Sequence, residues 1–200
     1  MYRAELPAAP RQCMGHVNMM ADTVLVNASP EDLRAILRSM LASKTPGLVS
    51  AFLASTHARL RLDQRRTIGP YTLPFLSPDS DALTPQVLES LTRARLLYGS
   101  GLGFASLTPL TAIVRSTIGH RWEAEGEIAH ALVVIDADIA QALQSCRDEL
   151  LGSQSPEYSV GTTAMAELAT ALETSRLDVE RWGGEFPFER AVYSVLDFKL

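Results

Sequence analysis

Glu127-Ile128-Ala129-His130-Ala131-Leu132-Val133-Val134-Ile135-Asp136-Ala137-Asp138-Ile139-Ala140-Gln141-Ala142-Leu143-Gln144-Ser145-Cys146-Arg147-Asp148-Glu149-Leu150 is the longest stretch of the chain that keeps one period. Ile128, Leu132, Ile135, Ile139, Leu143, Cys146 and Leu150 recur at steps of three and four, which lines them up on one face of an α-helix. Ala129, Ala131, Ala137, Ala140 and Ala142 widen that stripe, so neighbouring helices can approach from more than one side. The pattern predicts a helix over 121–151 through the middle of a helical bundle.

Working outward, the same period returns in shorter runs, several opened by one device. Ser29-Pro30, Thr45-Pro46, Thr84-Pro85 and Thr108-Pro109 each precede a helical pattern. A Ser or Thr oxygen satisfies an N–H of the first turn, and proline at the first helical position gives up an N–H that had no partner. Helices are therefore expected over 30–42, with Leu33, Ile36, Leu37 and Met40 on one face; over 46–60, with Val49, Phe52, Leu53 and Leu60; and over 85–98 and 109–118. Two more are expected over 163–182, closed by Gly183-Gly184, and over 188–198. Strand signals are confined to 23–26 and 133–135. Residues 61–83, with Pro70, Pro74 and Pro78, form a long connection. The expected fold is all-α: an irregular bundle of six or seven helices in a single domain over 21–200, preceded by a flexible tail at 1–20 with alternative starts at Met14, Met19 or Met20.

Composition bounds the function. A chain of 200 residues with 46% apolar and 20% charged residues can bury a core without staples. A net charge of −5 disfavours a phosphate-tracking nucleic-acid binder. Two cysteines, Cys13 and Cys146, supply no disulfide framework. The absence of a signal-like run and of an apolar stretch of about 18 residues points to the cytoplasm or nucleus, with no membrane partner.

Candidate sites are few. Glu127 and His130 form a Glu-x-x-His on a helix face, but no second copy exists to complete a carboxylate-bridged metal centre, so no metal and no cofactor is expected. The acidic run Trp122–Glu127 suits the positive end of a helix dipole. Asp136 flanks the apolar stripe and, if buried, needs a partner such as Arg93, Arg95 or Arg115. Tyr98-Gly99-Ser100-Gly101-Leu102-Gly103-Phe104 follows a helix rather than a strand and lacks a Lys-Ser/Thr pair, so it reads as a tight helix–helix turn rather than a phosphate loop. Tyr98, Phe104, Arg121 and Trp122 are the residues expected to line a ligand pocket, if the bundle has one. Arg59, Arg61, Arg65 and Arg66 form the one basic patch. Cys146 lies on the core stripe, and no Gly-x-Ser-x-Gly elbow occurs, so no catalytic constellation stands out.

The segments Leu25–Leu37 and Ala94–Phe104, with Arg121-Trp122-Glu123 and Ile135–Ala142, resemble an uncharacterised family of fungal helical proteins over about half the chain. That family implies a helical fold and supplies no catalytic residues. The first segment is also similar to one helix of the fungal nuclear proteasome-tethering proteins. Their lysine-rich tail has no counterpart in residues 1–20, so no function is carried over. The expected function is a helical protein–protein interaction module, an adaptor or regulatory subunit. The alternative is a small-molecule-binding protein or enzyme with a pocket near the 98–104 turn and the 121–127 helix start.

Overall fold

A computed structural model describes residues 19–64, 73–77, 82–152 and 158–198 of the chain. Eight helices occur among them: α1 Met19–Asn27, α2 Pro30–Ala42, α3 Leu48–Gln64, α4 Pro85–Gly99, α5 Gly103–Ser116, α6 Glu127–Gly152, α7 Tyr158–Trp182 and α8 Glu189–Leu196. The architecture is all-α, and the only β pairing among the described residues is an isolated antiparallel bridge between Leu76 and Leu83. Both strand-prone segments lie inside helices, 23–26 in α1 and 133–135 in α6. Helix α1 is the addition to the expected six or seven. It begins at Met19, within the expected tail, whose residues 1–18 lie outside the described residues. No described helix is long and apolar enough to cross a membrane.

The chain divides into two compact units, Met1–Ala54 and Ser55–Leu200, with α3 running across the boundary. In the first unit, Ser29 caps α2. Its hydroxyl accepts from the Asp32 N–H, and Glu31 pairs with Arg34 at 3.0 Å. Lys44, at φ 55°, follows the C-terminal cap of α2. The chain then turns through Thr45 and Pro46, and α3 starts only at Leu48. Helix α2 buries no residue at all.

The second unit holds the core. Helix α5 packs against α4, α6 and α7, and α6 against α4, α5 and α8, so these two share the centre. Ile128, Leu132, Ile135, Ile139, Leu143 and Cys146 are all buried, as their spacing requires. Thr84 caps α4 by accepting from the Val87 N–H, and its hydroxyl donates to the Pro74 carbonyl. Helix α4 ends on Gly101 at φ 86°. The Gly101 N–H bonds the Tyr98 carbonyl and the Leu102 N–H bonds the Leu97 carbonyl, the paired closure that a left-handed glycine permits. Gly183 and Gly184 close α7 in the same way on Glu180 and Val179.

Several expected boundaries move. Helix α3 runs on to Gln64, four residues into the connection expected over 61–83. Helix α5 starts at Gly103, so Thr108-Pro109 lies inside it rather than capping it. Burial of Leu107, Leu110, Ile113 and Val114 outweighs the hydrogen bond that Pro109 cannot donate. Helix α6 starts at Glu127, not 121. Gly119 at φ 86° and a turn closed by Gly126 on Glu123 hold 119–126 out of the helix, and the Gly126 carbonyl accepts from His130 N–H in the first helical bond. The acidic run therefore precedes the helix, with only Glu127 in its first turn. Helix α7 begins five residues earlier than expected, at Tyr158.

Candidate functional site

Helix α6 is the axis along which the candidate residues sort. Near its middle, Asp138 is buried and accepts from Arg95 through both Nε, at 3.0 Å, and the terminal nitrogen, at 2.7 Å. The same carboxylate accepts from the Tyr98 hydroxyl at 2.7 Å. Burial, followed by the adjacent Asp138 charge, pushes the Tyr98 phenol up to about 12. Tyr98 is thus a neutral donor tied into an ion pair between α4 and α6. Arg95 finds Asp138 rather than Asp136, contrary to the sequence expectation.

Asp136, also buried, points to α8. Its Oδ1 accepts from the Ala191 N–H at 2.8 Å. Helix α8 starts at Glu189 without a side-chain cap of its own, so Asp136 supplies one from another helix. Burial raises the Asp136 carboxyl above its ordinary value, and the bonds from the α8 backbone only partly oppose this. Glu149 does the same for α5, accepting from the Phe104 N–H at 3.1 Å. The 98–104 segment is therefore the expected helix–helix turn. Its last glycine is required by packing, since a Cβ on Gly103 would lie 2.3 Å from the Cys146 nitrogen. His57 closes over the turn, with Nε2 bonding the Ser100 carbonyl at 2.6 Å.

Tyr98 and Phe104 consequently lie toward the C-terminal half of α6, beside Asp138 and Glu149, whereas Arg121 and Trp122 precede its first residue. The helix between Glu127 and Glu149 spans about 33 Å at 1.5 Å per residue. Tyr98 and Phe104 are not among the described walls of the clefts that hold Trp122. Arg121 and Trp122 do line one, a cleft of about 540 Å³ with Glu123, Gly126, Glu127 and Ile128 among its described walls. Trp122 also borders a second cleft of about 300 Å³ with Val133, Asp136, Glu185, Phe186, Glu189 and Arg190. The indole is held edge-on against Trp182, ring centres 5.2 Å apart, and Phe186 is held edge-on against Phe188 at 5.8 Å. The Trp182 ring in turn folds over Gly184, where a Cβ would lie 2.0 Å from it. Its buried indole N–H has no hydrogen-bond partner among the described residues.

The remaining candidates fall elsewhere. Arg59 and Arg61 lie exposed on α3, and Arg65 and Arg66 are outside the described residues. His130 is exposed, with Nδ1 3.0 Å from the Gly126 carbonyl. No group of three or more His, Cys, Asp or Glu among the described residues is placed to hold a metal ion. Cys146 is fully buried, and burial pushes its thiol up to about 12. Glu185, Phe186, Glu189 and Arg190 had no signal in the sequence. Nothing in their spacing marks them as neighbours of Trp122 and Asp136, 49 or more positions earlier.

No family model matches the chain, and neither a curated protein nor a solved structure is significantly similar to it.

Proposed function

We propose that the chain is a helical protein–protein interaction module, an adaptor or regulatory subunit working in the cytoplasm or nucleus. The observation that supports this is the apolar stripe of α2. Ile36, Leu37 and Met40 are 42%, 42% and 46% exposed, although they repeat at the spacing of a buried face. On α3, Val49 is exposed as well. An isolated helix shorter than about 12–15 residues is marginal in water, and most helices in proteins are held by packing of their apolar face. A contiguous apolar face left in solvent marks an interaction surface. The chemistry elsewhere fits a non-catalytic role, since Cys146 is an inert buried thiol and Tyr98, Asp138 and Arg95 are spent on one another. The resemblance to fungal helical proteins is compatible with this reading and adds no activity to it.

The test is affinity capture from the native source with the wild-type chain and with Ile36→Glu/Met40→Glu, scored by quantitative mass spectrometry. A specific partner retained by the wild type and lost from the variant, with the thermal unfolding of the second unit unchanged, is the expected result. Identical sets of captured proteins would refute the role of this face.

A second reading, a small-molecule site at 121–127, is favoured by the 540 Å³ cleft beside Arg121 and Trp122. A ligand there would raise the melting temperature of the wild type and fail to do so in Trp122→Ala.

A further inference from the structure

The smaller cleft beside Trp122 is lined by two kinds of side chain. Trp122, Phe186, Pro187 and Val133 are apolar. Asp136, Glu185 and Glu189 bring three carboxylates against one cation, Arg190, among its described walls. Glu185 and Glu189 are exposed and form no ion pair among the described residues. Asp136 is buried and already holds the first turn of α8, so its position is fixed. The edge-on contacts with Trp182 and Phe188 likewise fix the aromatic walls. An aromatic face attracts a cation through its quadrupole, and the attraction grows as the site is desolvated. Carboxylates around such a face select a positive charge, and the apolar wall accommodates the methylenes that carry it.

We propose that this cleft binds a basic side chain, lysine or arginine, presented by a partner polypeptide. The stem of the side chain lies along Trp122 and Phe186, and the charged head meets Glu185 and Glu189. A volume of about 300 Å³ is ample for one such side chain. Arg190 on the rim competes with the incoming charge, so it sets a ceiling on affinity. This site is independent of the exposed face of α2, and either can fail without the other.

The chain contains two tryptophans, both in this cluster, so its two indole N–H resonances report on the site without labels. The full chain is titrated at constant ionic strength with N-acetyl-lysine amide, N-acetyl-arginine amide, tetramethylammonium and the uncharged N-acetyl-norleucine amide. A saturable shift of the indole resonances is expected with the two basic amides and not with norleucine. Glu185→Gln/Glu189→Gln should weaken the basic amides about tenfold, which corresponds to about 1.4 kcal/mol. Arg190→Gln should tighten them, an opposite sign that a merely unfolded variant cannot produce. Saturation by tetramethylammonium but by neither basic amide would overturn the peptide side chain in favour of a free organic cation. Equal shifts with norleucine, no saturation with any cation, or indifference to both sets of variants would overturn the proposal outright.

Discussion

Helices α2 and α6 are written in the same language and end in opposite environments. Both repeat apolar residues at three and four, and both lie in chains of helices punctuated by Ser/Thr-Pro steps. Yet Leu132, Ile135 and Ile139 are fully buried, while Ile36, Leu37 and Met40 stand in solvent. The difference lies in what faces the stripe. Helix α6 meets α4, α5 and α8, and Gly103 lets α5 come within backbone contact of Cys146. Among the described residues, α1, α2 and α3 make no comparable contacts with one another. A stripe is a demand for a partner surface, and only the second unit meets that demand from within.

The contrast is broken most directly at the stripes themselves. Leu132→Ala and Ile139→Ala should each lower the unfolding free energy by roughly 2–5 kcal/mol, the range for a buried aliphatic side chain. Ile36→Ala should change it by less than about 0.5 kcal/mol in the free protein. Urea melts decide, and equal shifts for Ile36 and Leu132 would show that α2 shares the core in solution.

Gly103→Ala comes next. The added methyl would press on the backbone at Cys146, so a loss of about 1–3 kcal/mol is expected despite the better helix propensity of alanine. A gain in melting temperature would mean that α5 and α6 can separate freely.

The caps sharpen the same division. Thr84→Ala should cost about 1 kcal/mol in the global melt, because Thr84 is buried and holds both Val87 and Pro74. Ser29→Ala should leave that melt unchanged and reduce only the helical ellipticity contributed by α2. A shift of the global melt by Ser29→Ala would join the two units into one cooperative system.

The smallest effect is a slope. Burial raises the folded-state carboxyl of Asp136, so the folded chain holds this proton to higher pH than the unfolded chain does. The group's contribution to stability therefore declines as pH rises from the ordinary carboxylate range through the raised value. Asp136→Asn removes that decline while keeping an acceptor for the Ala191 N–H. The stability of the variant relative to wild type should rise over this interval, and parallel profiles would show that Asp136 titrates normally.

Much of this architecture was legible from local residues. The α6 stripe, the Ser29 and Thr84 caps, the glycine closures of α4 and α7 and the 98–104 turn all follow from chemistry within a few positions. What was illegible is nonlocal. Thr108-Pro109 imitates a cap, but Leu107 and Leu110 are buried together and carry α5 through it. Asp136, if buried, was expected to pair with an arginine, yet its partner is a backbone N–H 55 positions away. Of the expected pocket, Arg121 and Trp122 line a cleft, whereas Tyr98 and Phe104 were nominated because they flank glycines, a local feature that says nothing of distance to Trp122. The carboxylates facing Trp122 come from the 185–190 turn, which carries no mark of a site in its own sequence.

The borrowed caps also tie the starts of two helices to a third. Helices α5 and α8 each begin without a side-chain cap, and the acceptors for Phe104 and Ala191 are Glu149 and Asp136 of α6. Away from α6, these N–H groups would have to turn to water instead. The amide protons at Phe104 and Ala191 should therefore exchange with solvent when α5 or α8 undocks from α6.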